Sequence, residues 1–132
     1  MILDSSAVLA IVLGEPGNSV FVDAIAASAS CKISAATFVE ASIVAESRAG
    51  EQGIRQCDVF FRSSRVSIEP VTEEQAHVAR QCYSEYGKGR HAAALNFGDC
   101  FAYALAKATG EPLLFKGQDF SQTDIQPALP CT

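Results

Sequence analysis

The sequence lacks the usual features of secreted and membrane proteins. Its five cysteines cannot all pair, and no two of them form a Cys-x-x-Cys motif, which argues against a disulfide framework and a zinc site. The apolar run from Ala7 to Leu13 is too short to cross a bilayer, and no Lys or Arg precedes the apolar start. We therefore expect a cytoplasmic protein with no targeting segment, whose cysteines mostly fill apolar space.

Positive charge is also scarce. Ten Lys and Arg residues stand against 15 Asp and Glu residues, so the formal net charge is -5. This argues against a general nucleic-acid coat protein, because phosphate binding normally relies on a surplus of Lys and Arg. Metal ligands among the acids would change this expectation, because bound divalent cations would themselves be the positive feature that a phosphate meets.

No repeat, linker or low-complexity segment divides the 132 residues, so one domain with one core is predicted. The patterns predict strands at 2–4, 31–34, 66–68 and 113–115, and helices at 5–13, 18–27, 35–49, 51–65, 72–86 and 96–109. Parallel strands need a crossover that a helix supplies, so this alternation indicates an α/β sandwich with a mainly parallel sheet. Little in the sequence would order the tail from about residue 127.

Two acids stand out in the first third of the chain. Asp4 lies where a strand gives way to a helix, and there it either caps the helix or binds a ligand. Glu40 lies on the third helix, and its neighbours three and four residues away form a mostly apolar stripe predicted to face the core: Ala36, Thr37, Ile43 and Val44. A buried ionised carboxylate needs a cation or strong donors, so Glu40 is predicted to belong to a site.

Two further acids follow near the C-terminus. Asp99 lies three residues after Asn96, the spacing of a capping box, but its surroundings are apolar, and a capping role can coexist with a ligand role. Asp119 lies in a Gly-Gln-Asp-Phe turn, where Asp usually shapes the turn itself. Because ligand crevices form at the carboxyl ends of parallel strands, Asp4, Glu40, Asp99 and Asp119 could meet there and offer the oxygen donors that suit Mg²⁺ or Mn²⁺.

Four segments resemble one known family. They are the opening Met-Ile-Leu-Asp-Ser-Ser-Ala at 1–7, Thr-Phe-Val-Glu-Ala at 37–41, the stretch 95–104 around Asn-Phe-Gly-Asp-Cys-Phe-Ala-Tyr, and the segment 113–124 with its two acids. In this order they are similar to PIN-domain nucleases, in particular to the VapC toxins of toxin–antitoxin pairs. The resemblance spans nearly the whole chain, and 86–103 is its most specific part.

The resemblance implies a PIN-like three-layer sandwich over residues 1–132 and a metal-dependent endoribonuclease toxin that hydrolyses RNA phosphodiester bonds. It implies Mg²⁺ or Mn²⁺ as the cofactor, a cognate VapB-type antitoxin that neutralises the toxin, and a homodimer. Asp4, Glu40, Asp99 and Asp119 correspond to the acidic quartet that binds metal, and Asp124 is the alternative fourth acid. Ser6 corresponds to a helper that orients substrate or water.

Other residues and other functions remain open at this point. Lys88, Arg90 and Lys116 are candidates for RNA phosphate contacts, although each could equally be an ordinary solvated charge. His91 could act as a base, but a metal that lowers the pKa of its water makes such a base unnecessary. A haloacid-type phosphatase would need an Asp in place of Ser6. A non-catalytic α/β module could bind a basic partner peptide in the acidic groove.

Overall fold

The computed structural model describes residues 1–130, and its centre is a four-stranded sheet in the order β3-β2-β1-β4. The elements in chain order are β1 (Ile2–Leu3), α1 (Ser5–Val12), α2 (Ser19–Ala27), β2 (Lys32–Ser34), α3 (Ala35–Ser63), β3 (Ser67–Glu69), α4 (Glu73–Tyr86), α5 (Asp99–Thr109), β4 (Leu113–Leu114) and a short 3-10 helix (Phe120–Gln122). Every pairing between these strands is parallel. The predicted α/β class with a mainly parallel sheet is confirmed.

The sheet separates two hydrophobic clusters, which makes the fold a three-layer sandwich. Successive side chains of a strand point to opposite faces. Ile2 accordingly packs in a cluster with α4 and α5, whereas Leu3 packs in the other with α1 and α3. Both residues are fully buried. The same alternation in β4 sends Leu113 to the first cluster and Leu114 to the second.

Helix α3 combines the two helices that the sequence predicts at 35–49 and 51–65. Gly50 interrupts it with φ 60° and ψ -145°, a backbone conformation that residues with a side chain rarely adopt. The run therefore consists of a first segment before Gly50 and a second segment after it. The predicted break is confirmed, and the chain resumes the helix directly after the kink.

Of the three predicted helix caps, Thr72 and Asn96 accept hydrogen bonds from the backbone at the start of a helix, and Asn18 does not. Thr72 Oγ1 accepts a hydrogen bond from Gln75 N at 3.1 Å, as the capping box predicts. Asn96 and Asp99 exchange two bonds of 2.9 Å between backbone N–H groups and side-chain oxygens, but α5 itself begins only at Asp99. Asn18 makes no side-chain capping bond, and its Nδ2 donates instead to the carbonyl of Glu15 at 2.8 Å.

The C-terminal segment is better held than its sequence suggests. Ala128 N donates to Leu113 O at 2.8 Å, and Leu113 N donates to Gln126 O at 2.9 Å. Leu129 packs against the cluster on the α1 and α3 side. The segment pairs with the free edge of β4, so the expected disorder from residue 127 is not found in residues 127–130. Residues 131 and 132 lie outside the described part of the chain.

Two expectations drawn from composition concern the cysteines and the membrane. The four cysteines within residues 1–130 are buried and unpaired, in agreement with a role as apolar filling: Cys31, Cys57, Cys82 and Cys100. Cys131 lies outside the described residues. Within the same residues, no helix is long and apolar enough to span a membrane. The expected cytoplasmic location stays a prediction.

Candidate active site

A cavity of about 300 Å³ opens where β1 and β4 end, and three of the four predicted acids line it. They are Asp4, which follows β1 directly, Asp99 at the start of α5, and Asp119, which follows β4 in the turn before the 3-10 helix. A larger groove of about 770 Å³ lies between α1, α2 and the second segment of α3, but no predicted acid lines it. The chemistry therefore assigns the candidate site to the smaller cavity.

Asp4 both caps a helix and presents an unpaired oxygen. Its Oδ2 accepts from Ser6 N at 3.0 Å and from Ser6 Oγ at 2.6 Å, which caps α1. Its Oδ1 is buried and has no hydrogen-bond partner among residues 1–130. Burial is the largest influence and raises the pKa of Asp4 to about 6, although the bonds from Ser6 oppose the rise. The two interpretations of Asp4 are therefore compatible.

Asp99 is fixed by the capping box and has an unusually high pKa. The backbone N–H of Asn96 donates to its Oδ2, which fixes the carboxylate at the start of α5. Burial, the largest cause, raises the pKa of Asp99 to about 7, and the bond from Asn96 opposes this rise. The negative charges of three neighbouring acids add to it: Asp4, Glu40 and Asp119. Asp99 is thus close enough to the other three predicted acids for their charges to act on it.

Glu40 reaches the same region from α3. A Cβ added at Gly98 would overlap with the Glu40 carboxylate, so this acid lies directly against the start of α5. Its Oε1 is buried and lacks a hydrogen-bond partner within the described chain. The predicted apolar stripe is wrong in part, because Ile43 is 58% exposed whereas Thr37 is fully buried. Glu40 therefore lies at the border of the buried face, and the contact with Gly98 buries its carboxylate.

The two candidates for the fourth acid differ in position. Asp119 lines the cavity and is exposed to solvent. Asp124 does not line it, and its carboxylate instead accepts from Tyr103 Oη at 2.6 Å and from Lys107 Nζ at 2.5 Å. Burial alone would raise the pKa of Asp124, but these two bonds outweigh it and lower the pKa. Asp119 is thus available at the cavity, and Asp124 is engaged outside it.

Ser6 links the two strands that flank the cavity. Its Oγ donates to Asp4 Oδ2 at 2.6 Å and accepts from the backbone N–H of Lys116 at 2.9 Å. The hydroxyl therefore ties the end of β1 to the segment that follows β4. The bond from the Ser6 hydroxyl fixes the Asp4 carboxylate. Removal of this hydroxyl would also leave the N–H of Lys116 without its partner.

The predicted basic contacts fall into two groups. Lys116 lines the cavity. Lys88 and Arg90 are exposed in the loop after α4 and do not line it, and the Arg90 guanidinium lies 5.9 Å from the ring centroid of Tyr83. His91 is also outside the cavity, where its Nδ1 accepts from a backbone N–H in its own loop. The structure thus brings together only one of the three candidate cations with the acids.

Sequence reasoning missed two charged residues at this cavity. Arg48 and Glu15 both line it, and Arg48 Nη1 lies 3.7 Å from Glu15 Oε2. Glu15 follows Gly14 after α1, and Arg48 lies two residues before the break at Gly50; charged residues are ordinary at such positions, so neither gave a local signal. Only the packing of α1 against α3 brings them together, since they are far apart in the chain.

The donor set suits a hard divalent cation with few protein ligands. Among residues 1–130, no three His, Cys, Asp or Glu side chains form a preformed ligand cluster. Mg²⁺ is nevertheless commonly held by one or two carboxylates, with water or phosphate oxygens completing its coordination. Within the described part of the chain, Asp4 Oδ1 and Glu40 Oε1 are buried oxygens without a hydrogen-bond donor, and a bound cation would satisfy both. These residues therefore fit such an ion.

Comparison with known proteins identifies the class. The PIN domain family model matches residues 1–126, and the chain belongs to this family. Its curated relatives include Ribonuclease VapC of Mycolicibacterium smegmatis, which is 46% identical over 125 residues that cover 95% of this chain and 97% of the relative. Ribonuclease VapC42 of Mycobacterium tuberculosis is 44% identical over 133 residues, with full coverage of both chains.

Solved structures agree on the fold. The VapC20 toxin of Mycobacterium tuberculosis, described as cleaving the sarcin-ricin loop, superposes with a TM-score of 0.77 at 17% identity and covers 94% of this chain and 95% of its own. VapBC2 of Rickettsia felis, solved with a DNA fragment of its promoter, gives a TM-score of 0.74 at 15% identity, with 96% and 94% coverage. At these identities the likeness concerns the fold alone.

Proposed function

We propose that this protein is a metal-dependent endoribonuclease that hydrolyses RNA phosphodiester bonds with Mg²⁺ or Mn²⁺. Membership of the PIN domain family and close similarity to VapC ribonucleases support the reaction class. The observation that carries the metal assignment is a pair of buried carboxylate oxygens, Asp4 Oδ1 and Glu40 Oε1, that lie beside the cavity lined by Asp99 and receive no hydrogen bond from any of residues 1–130.

Asp4 and Asp99 are the proposed principal ligands, with Glu40 and Asp119 nearby. A bound divalent cation would supply Lewis acidity at a phosphoryl oxygen and lower the pKa of a water molecule. Ser6 fixes one oxygen of Asp4 and leaves the other available, and the N–H of Asn96 does the same for Asp99. Fixed partners of this kind orient ligands and hold the site together before substrate arrives.

The proposed partner is a VapB-type antitoxin that neutralises the enzyme. Support comes from the relatives, which carry the VapC name, and from the complex of VapB and VapC in a similar fold. A basic side chain of the antitoxin is well suited to the cavity, since its carboxylates repel one another when no cation is bound. The homodimer expected from the family stays a prediction.

The test is cleavage of structured RNA by the purified chain with Mg²⁺, with Mn²⁺ and with a chelator. We expect cleavage that needs metal and is lost in Asp4→Asn and Asp99→Asn, while the matched variant Asp124→Asn keeps it because that acid lies outside the cavity. Circular dichroism checks that each variant folds. If the wild type cuts none of several RNAs with either metal, a groove that only binds a basic peptide becomes the better interpretation.

A further inference from the structure

Two cations at the mouth of the carboxylate cavity share one acid. Lys116 Nζ lies 2.6 Å from Glu15 Oε1, and Arg48 Nη1 lies 3.7 Å from Glu15 Oε2. All three side chains line the cavity that also holds Asp4 and Asp99. We refer to Arg48, Lys116 and Glu15 as the cationic rim. It places positive charge beside a site whose other charged groups are acids.

Hydrogen bonds fix two members of the cationic rim. Glu15 N donates to Ala10 O at 2.8 Å, and the Asn18 side chain donates to Glu15 O at 2.8 Å, which holds the turn after α1. Lys116 N donates to the Ser6 hydroxyl, which in turn bonds the candidate metal ligand Asp4. The rim is therefore joined to the acidic centre through the Lys116 backbone N–H and the Ser6 hydroxyl.

The contact between Arg48 and Glu15 contributes little to the stability of the fold. The Arg48 side chain is 61% exposed, and ion pairs between exposed groups contribute little to folding. At 3.7 Å the contact with Glu15 is too long for a hydrogen bond, so the planar fork of guanidinium donors is not used by this acid. Such a fork matches the geometry of phosphate oxygens.

We propose that Arg48 and Lys116 bind a phosphate of the RNA next to the one that is cleaved, and that Glu15 holds the two cations in place until RNA arrives. This rests on the proposed ribonuclease function. The Glu15 carboxylate pairs with both cations as a phosphate would, so an RNA phosphate must compete with Glu15 for them. Arg48 is then a substrate-binding residue, and Glu15 is a positioning residue. The contact fixes the backbone without reading bases.

The test compares RNA binding across salt concentrations. Fluorescence anisotropy would follow a short fluorescein-labelled single-stranded RNA in the Asp99→Asn background, where the RNA stays intact. Arg48→Gln should weaken binding and reduce the slope of log K against log salt by about 0.7, the value for one phosphate contact on a single strand. Glu15→Gln should instead strengthen binding severalfold without reducing the slope, because the cations lose their competitor.

The chain offers a matched control pair on the same helix. Arg55 Nη1 and Glu51 Oε2 are also 3.7 Å apart, and Arg55 is 64% exposed, but Arg55 lines the larger groove instead. Arg55→Gln and Glu51→Gln should leave both the affinity and the salt slope unchanged. Agreement with this pattern supports a phosphate site at the rim rather than a general effect of charge.

Two results would overturn the proposal. One is a slope of log K against log salt in Arg48→Gln that equals the wild-type slope. The other is a change of RNA affinity in the same direction for Arg48→Gln and Glu15→Gln, which a merely structural ion pair would give. The ribonuclease function is tested separately, by cleavage in the Asp99-containing protein. Absence of cleavage together with the expected slopes would contradict the ribonuclease function and leave the phosphate site supported.

Discussion

The carboxylate of Glu40 occupies the space that a side chain on Gly98 would need. Gly98 has φ -64° and ψ -38°, which any residue adopts, so its backbone does not require glycine. The requirement comes from the acid of another helix pressed against the start of α5. This contact is how the fold brings an acid from the first half of the chain to the residue before Asp99.

Gly98→Ala should therefore destabilise the protein through Glu40. We expect a loss of about 1–3 kcal/mol in the free energy of unfolding, the usual cost of overpacking a tight site. In a Glu40→Ala background the same substitution should cost little, because the overlapping group is gone. Urea denaturation of the four proteins of this double-mutant cycle measures the coupling. Equal costs of Gly98→Ala in the two backgrounds would contradict the proposed contact.

The metal-free protein should lose stability as pH rises. Burial raises the pKa of Asp4 to about 6 in the folded state, from an ordinary value of 3.8 in the unfolded chain, so the folded state binds this proton more tightly. Ionisation of Asp4 therefore costs no folding stability below about pH 4, and its full cost is reached above about pH 6. Asp99, with a pKa of about 7, adds a loss of the same sign.

Asp4→Asn should make that loss shallower, because the amide does not ionise. Between about pH 4.5 and 8, the free energy of unfolding should fall on the order of 1–3 kcal/mol less in Asp4→Asn than in the wild type. Urea denaturation in the presence of a chelator measures it. An identical fall in both proteins would show that Asp4 ionises without penalty and would remove one reason for a cation there.

Ser6→Ala should reduce cleavage without removing a metal ligand. Its hydroxyl fixes Asp4 and accepts from Lys116 N, and loss of such supporting partners typically costs about 10–100-fold in activity or metal affinity. Ser6→Thr keeps the hydroxyl and should retain most of the activity. Measurement of kcat/KM on one RNA substrate compares the three proteins. Activity of the Ala variant equal to the wild type would mean that the Asp4 carboxylate does not need this bond.

The fourth acid can be tested by comparing Asp119 with Asp124. Asp119→Asn should weaken Mn²⁺ binding, because this side chain lines the cavity. Asp124→Asn should instead weaken the contacts with Tyr103 and Lys107 and leave Mn²⁺ affinity close to the wild-type value. Calorimetric titration with Mn²⁺ measures both. The reverse order of effects would assign the role to Asp124.

Local pattern was sufficient to predict most of the fold. The strand before Asp4, the break at Gly50 and the capping box at Thr72 are each encoded within a few neighbouring residues, and the structure has all three. Asp4, Glu40 and Asp99 were recognisable because they interrupt apolar segments, whereas Asp119 lies in a turn where Asp is ordinary. The meeting of Asp4 with Asp119 followed from the parallel sheet, because both residues follow strands that end at one edge, whereas Glu40 and Asp99 reach the cavity from helices.

What could not be predicted depends on contacts between distant segments. The meeting of Arg48 with Glu15 requires α1 to pack against α3, and no short pattern encodes that distance. The order of residues 127–130 comes from pairing with β4, which the tail's own sequence does not reveal. The position of Lys88 outside the cavity likewise depends on how α4 and the loop after it pack against the rest of the fold.

The buried carboxylates of this cavity should bind a divalent cation in the absence of RNA. Isothermal titration of the metal-free protein with Mn²⁺ at about pH 7.5, alongside folded Asp4→Asn and Asp124→Asn, tests it most directly. We expect saturable binding to the wild type and to Asp124→Asn, and a loss of at least about tenfold in affinity for Asp4→Asn. Equal Mn²⁺ affinity in all three proteins, or no binding to the wild type, would contradict it.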